Sequence, residues 1–145
     1  MTTFFPYLAL AAPLTIFTSL SSNIVNTNSS YQIEFTTATS GTIKTVDIGF
    51  PDHYNTQFAK LIETAGIGPG SLSVNLGTSP YNSTIRYTVT SPTTITNDTY
   101  IKLKISNITN PNVPGDDYTL LITTKNSTGN IIDGPSKTKT FVIKG

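Results

Sequence analysis

Tyr31-Gln32-Ile33-Glu34-Phe35-Thr36 alternates large apolar and polar side chains without a break. In an extended chain successive side chains point to opposite faces, so Tyr31, Ile33 and Phe35 form one row. Such a segment is a strand with one face in a core and the other in water. Outward from it the same pattern recurs in Leu14 to Thr18, Ile43 to Phe50, Ser71 to Leu76, Ile85 to Thr90, Tyr100 to Ile105, Tyr118 to Thr124 and Thr138 to Ile143. Turn residues separate these runs: Ser40-Gly41, Pro69-Gly70, Ser91-Pro92, Pro114-Gly115, Thr128-Gly129-Asn130 and Asp133-Gly134-Pro135. About seven or eight short strands at this spacing predict an all-β sandwich with Greek-key connections over residues 14–145.

One segment departs from period two. Phe58, Leu61, Ile62 and Ala65 fall at helical spacing, with Asn55 placed to cap the start and Gly66 to end it. This predicts one short helix covering an end of the sandwich.

The start of the chain, residues 1–13, is different again. Phe4-Phe5-Pro6-Tyr7-Leu8-Ala9-Leu10-Ala11-Ala12-Pro13 carries no charge. No Lys or Arg precedes Lys44, so the basic region of a secretory signal is missing and any such signal is expected to have been removed already. A greasy extension on an otherwise complete domain needs a burial site in a bilayer, a helical bundle or another copy. The run from Phe4 to Leu20 is marginal for a stable membrane span, and Pro13 inside a helix would cost about 3 kcal/mol. Read as an extended segment, residues 2–12 reach roughly 35 Å and can add a strand to a neighbouring sheet. Phe4, Leu8 and Leu10 then share one face, and Phe5, Tyr7, Ala9 and Ala11 the other. The expected partner is the protein itself, joined through these seven residues. Pro6, without an N–H, suits only a strand paired on one side or a bulge.

Composition removes other classes. Charged residues make up 12% of the 145, and the formal net charge is +1, so no electrostatic footprint for nucleic acid exists. With no Cys, thiolate chemistry and disulfides are absent. His53 is the lone histidine, following Asp52 in a predicted turn, and has no partner for nucleophilic catalysis. Asp116-Asp117 lacks the spacing of a calcium loop, and Tyr118 after it is placed to bond back to the backbone at a strand corner. Gly66-Ile67-Gly68-Pro69-Gly70 leads into a strand, not a helix, so it is no phosphate cradle. No enzyme, cofactor or metal is expected. Five Asn-x-Ser/Thr sequons, at Asn28, Asn82, Asn97, Asn107 and Asn126, instead predict N-linked glycans on an extracellular surface.

Several stretches carry a family resemblance. Tyr31 to Phe35, Gly41 to Pro51, Gly66 to Val74, Ile105 to Pro111, Asp117 to Leu120 and Ile131 to Pro135 resemble the immunoglobulin-like domain that recurs in archaeal surface proteins. One such domain behind a short greasy tail resembles the subunit of archaeal thread filaments. The resemblance implies an N-glycosylated cell-surface homopolymer in which each tail completes the neighbouring subunit by donor-strand complementation. Two alternatives remain at this level: a type IV-like pilin with a helical tail, and an adhesive or carbohydrate-binding surface module.

Overall fold

The computed structural model describes residues 15–145. The alternating runs become two facing antiparallel sheets. One has four strands, in the order β1 (Ile16–Leu20), β2 (Asn28–Thr36), β9 (Tyr100–Thr109) and β5 (Lys60–Ala65). The other has five, in the order β12 (Ile131–Lys137), β11 (Leu121–Lys125), β4 (Thr45–Phe50), β7 (Tyr81–Val89) and β6 (Gly70–Thr78). Two short ribbons, β3 (Gly41–Thr42) with β8 (Thr94–Ile95) and β10 (Gly115–Tyr118) with β13 (Phe141–Ile143), finish the ends. The expected all-β class holds, with thirteen strands among the described residues rather than seven or eight.

Tyr31, Ile33 and Phe35 are buried, as the opening stretch requires, and meet Val46, Ile48, Phe50, Ile85 and Tyr87 of the opposite sheet in one core. At one end of that core Tyr31 packs edge-on against Phe50, Tyr54 and Phe141. Its hydroxyl donates to Asn110 Oδ1 at 2.6 Å and shares a 2.8 Å bond with the Tyr54 hydroxyl. The Asn110 amide in turn donates to the Ser22 and Ile24 carbonyls, tying the β1–β2 connection to the end of β9. Burial is the main force pushing the Tyr31 hydroxyl far above the usual phenol range, so it stays a neutral donor. Tyr118 bonds back as expected, donating to the Val113 carbonyl at 2.5 Å.

The predicted helix over 55–66 is not formed. Lys60–Ala65 is strand β5, paired antiparallel with β9. Leu61 lies opposite Ile105 and Thr64 opposite Leu103, so both face the core although three residues separate them. A bulge at Ile62 inserts the extra residue, and that insertion imitated a helical repeat. Phe58 and Ile62, expected as core cover, are exposed. The chain then crosses between the sheets at Gly66, whose φ of +75° and close approach to the Tyr100 carbonyl admit no side chain.

Asp133-Gly134-Pro135, expected as a turn, lies inside β12. As the outermost strand, paired only with β11 and twice out of register, β12 tolerates an exposed proline that an inner strand would reject. His53 sits in an exposed turn after β4, as expected.

Candidate functional site

A five-stranded sheet facing a four-stranded one leaves part of its inner face uncovered. Strand β6 shows where. Leu72, Val74 and Leu76 lie opposite Tyr87, Ile85 and Ser83 of β7, all three buried, so the apolar row of β6 points to the core side. Yet Val74 is 39% and Leu76 94% exposed. Across the same flank, Phe58 is 66% and Ile62 53% exposed. Beside β6 lies a hollow of about 360 Å³ bordered by Tyr54, Thr56, Val74, Leu76, Asn82 and Ser83. Thr56 and Ser83 hydrogen-bond across its floor, which holds the loop after β4 against β7.

The edges of the two sheets are not equivalent. β1 is only five residues long; it is tied at its start, where Ile16 O accepts from Lys139 N at 2.9 Å, and beyond its end, where Asn23 O accepts from Lys144 N at 2.7 Å, with an open hollow bordered by Thr18, Leu20 and Phe141 between the two. β5 carries Lys60, Glu63 and a bulge; Lys102 reaches Glu63 at 2.5 Å and holds its carboxyl below the usual range. β12 carries Asp133, Pro135, Lys137 and two register shifts. Charges, prolines and bulges of this kind discourage pairing with a further strand. β6 has none of them. It runs nine residues, uncharged and without proline, in continuous register with β7 from Gly70 to Leu76. Among the described residues it is the longest uncharged, proline-free sheet edge, and it adjoins the exposed inner-face residues Val74 and Leu76.

The sequence did hold a signal for this edge. No charged residue occurs between Glu63 and Arg86, while serine, asparagine and glycine alternate with Leu72, Val74 and Leu76. What it could not reveal is that, among the described residues, no strand of the facing sheet covers that row.

The predicted donor residues Phe4, Phe5, Tyr7, Leu8, Ala9, Leu10 and Ala11 lie outside the described residues. The five sequon asparagines are scattered rather than gathered into one patch. Asn28 opens β2, Asn82 is the second residue of β7, Asn107 is in β9, Asn97 is in the turn before β9, and Asn126 starts the β11–β12 hairpin. Asn126 is half-buried and the other four are exposed.

No family model matches the chain, and no curated protein matches it. Among solved structures it is similar to an uncharacterized Nocardia farcinica protein with an immunoglobulin-like fold, at a TM-score of 0.58 and 11% identity, covering 90% of this chain and 99% of that one. Lower similarities link it to a cohesin module of a Clostridium perfringens family 33 glycoside hydrolase (TM-score 0.47, 11% identity, 92% and 97% covered). A non-cellulosomal cohesin from the archaeon Archaeoglobus fulgidus follows (TM-score 0.42, 10% identity, 92% and 93% covered). The chain therefore has an immunoglobulin-like β-sandwich fold. At these identities the likeness carries the fold and not a function.

Proposed function

We propose that the protein is the structural subunit of an extracellular archaeal filament, polymerised head to tail when residues 2–12 of one copy add as a strand to β6 of the next. The uncovered inner face of β6 carries this reading. Phe4 to Ala12 is nine residues long, the length of the β6 edge. Phe4, Leu8 and Leu10 continue the inner row of Leu72, Val74 and Leu76, and the solvent row takes Ala9 and Ala11. Each large side chain buried adds roughly 1.5–3 kcal/mol. Pro6 fits because an added strand is paired on one side and its missing N–H faces water.

Insertion into the subunit's own groove is out of reach. β1, where the tail joins, and β6 lie on opposite flanks of the sandwich. The four-stranded sheet alone is roughly 14 Å across, and the facing sheet lies about 10 Å beyond. The four residue steps from Ala12 to Ile16 span at most about 14 Å. On this reading the tail enters a second copy, and a donor and an acceptor on opposite flanks make a contact that propagates instead of closing. N-linked glycans at the five sequons keep this weakly charged surface hydrated.

Deleting residues 2–12 is expected to yield folded monomers by light scattering, with the thermal unfolding transition kept and no filaments under the electron microscope. Filaments formed by the truncated chain would overturn the proposal.

A further inference from the structure

The five sequons differ in what holds them, and this difference orders their modification. Asn82 is in β7, hydrogen-bonded between β4 and β6, and its sequon neighbour Ser83 is buried and bonded to Thr56. Asn107 adopts a left-handed φ of 62° in β9; Ile108 beside it is fully buried, and Thr109 exchanges two backbone bonds with Asn55. Asn28 pairs with Thr109, Ser29 is buried, and Ser30 exchanges bonds with Ser21. The Asn97 sequon is clamped to a distant loop: Asn97 N donates to Ser40 Oγ at 2.9 Å, Asp98 N to Thr37 O at 2.8 Å, and Thr99 N to Thr37 Oγ1 at 2.9 Å.

Asn126 is held differently. Its N–H donates to the Asn130 carbonyl, and its carbonyl accepts from Gly129 N. Its side-chain Oδ1 accepts from Thr128 N at 3.0 Å, Thr128 Oγ1 at 2.8 Å and Asn130 N at 3.0 Å. Every one of these bonds closes within Asn126–Asn130. The amide Nδ2 has no partner among the described residues, and a Cβ placed at Gly129 would meet nothing within 4 Å. The hairpin tip can enter another protein's cleft without a single sheet bond breaking.

We propose that Asn28, Asn82, Asn97 and Asn107 are glycosylated only before the sandwich closes, and that Asn126 alone is accepted from the folded subunit. The inference rests on the reading of these sequons as glycan sites. In the transfer, Asn Nδ2 attacks the anomeric carbon of a lipid-phosphate-linked oligosaccharide. The N–C bond forms, the C–O bond to phosphate breaks, the lipid phosphate leaves with the electron pair, and a base on the transferase takes one Nδ2 proton. The enzyme must hold the asparagine, its neighbour and the hydroxyl residue together in a cleft, so the segment has to detach from the strands or loops beside it. For a core strand that detachment is sub-global unfolding; for the Asn126 tip it is not. Four glycans therefore must be placed while the chain is still emerging unfolded, and the fifth can be added or omitted afterwards.

The test uses the full chain made without a transferase, together with five nonapeptides, one centred on each sequon. Both are incubated with a solubilised archaeal oligosaccharyltransferase and its lipid-linked oligosaccharide, and each site is followed by mass spectrometry. All five peptides should be modified. On the folded chain Asn126 should react within a few-fold of its peptide, and the other four more slowly by about a hundredfold or more, as the open population of a core segment dictates. Reaction of Asn82 or Asn107 on the folded chain at the peptide rate would overturn the order, as would an unreactive Asn126. If no peptide is accepted, the glycan reading itself fails.

Discussion

Subunits carrying Leu8→Asp or Leu10→Asp are expected to remain monomeric under conditions where the parent chain and its Ala9→Asp variant form filaments. The contrast follows from alternation: in an extended tail Leu8 and Leu10 share the face of Phe4, and Ala9 lies on the other. Added to β6, the leucine row runs beside Leu72, Val74 and Leu76 on the core side, and the alanine row faces water. A carboxylate in the leucine row is buried without a partner, which costs about 3–5 kcal/mol at each joint. That weakens each contact by more than about a hundredfold, enough to stop growth at ordinary concentrations. Ala9→Asp leaves its charge in water. Sedimentation velocity and negative-stain images separate the outcomes, and equal assembly of all three variants would show that the tail does not lie in this register.

The largest effect on folding is expected at Tyr31. Its ring fills the junction of Phe50, Tyr54 and Phe141, and its hydroxyl joins Tyr54 to Asn110. Tyr31→Ala removes the ring and is expected to lower stability by about 3–5 kcal/mol. Tyr31→Phe keeps the ring but leaves the buried Asn110 Oδ1 short of a donor, at a loss of about 1–3 kcal/mol. Urea unfolding of the two variants measures both, and the gap between them is the share of the ring. Because the same network fastens the connection after β1, it also anchors the strand that follows the tail.

Half-buried strands such as Tyr31 to Phe35 and Ile85 to Val89 were legible because pairing on both sides forces a strict alternation on their side chains. Where pairing is one-sided, that constraint relaxes and the sequence misleads. In β5 the bulge at Ile62 spaces two core-facing residues three apart, a helical interval. In β12 an edge position admits Gly134-Pro135, which reads as a turn anywhere else. The tail was conspicuous as a sequence because nothing charged interrupts Tyr7 to Ala12. The exposed row of β6 was not, since the exposure of Leu76 depends on how many strands the opposite sheet contains. The sequons were equally visible, but their different tethering arises from contacts tens of residues away.

The most direct test of tail addition at β6 exploits the absence of cysteine, so that an engineered pair reports without background. In an extended tail added to β6, Ala9 would share the outward row, and Ser71, Ser73 and Asn75 lie on the outward row of β6. Directly opposed residues of neighbouring strands bring their Cβ atoms to about 4.5–5.5 Å, close enough for a disulfide to form with slight adjustment. A chain with Ala9→Cys and one of Ser71→Cys, Ser73→Cys or Asn75→Cys should, after oxidation of its filaments, run as a ladder of covalent multimers on a non-reducing gel. Ala9→Cys combined with Phe17→Cys on β1 or Ile131→Cys on β12 should run as monomer. Ladders from the β1 or β12 pairs, or none from any β6 pair in filaments that do form, would contradict it.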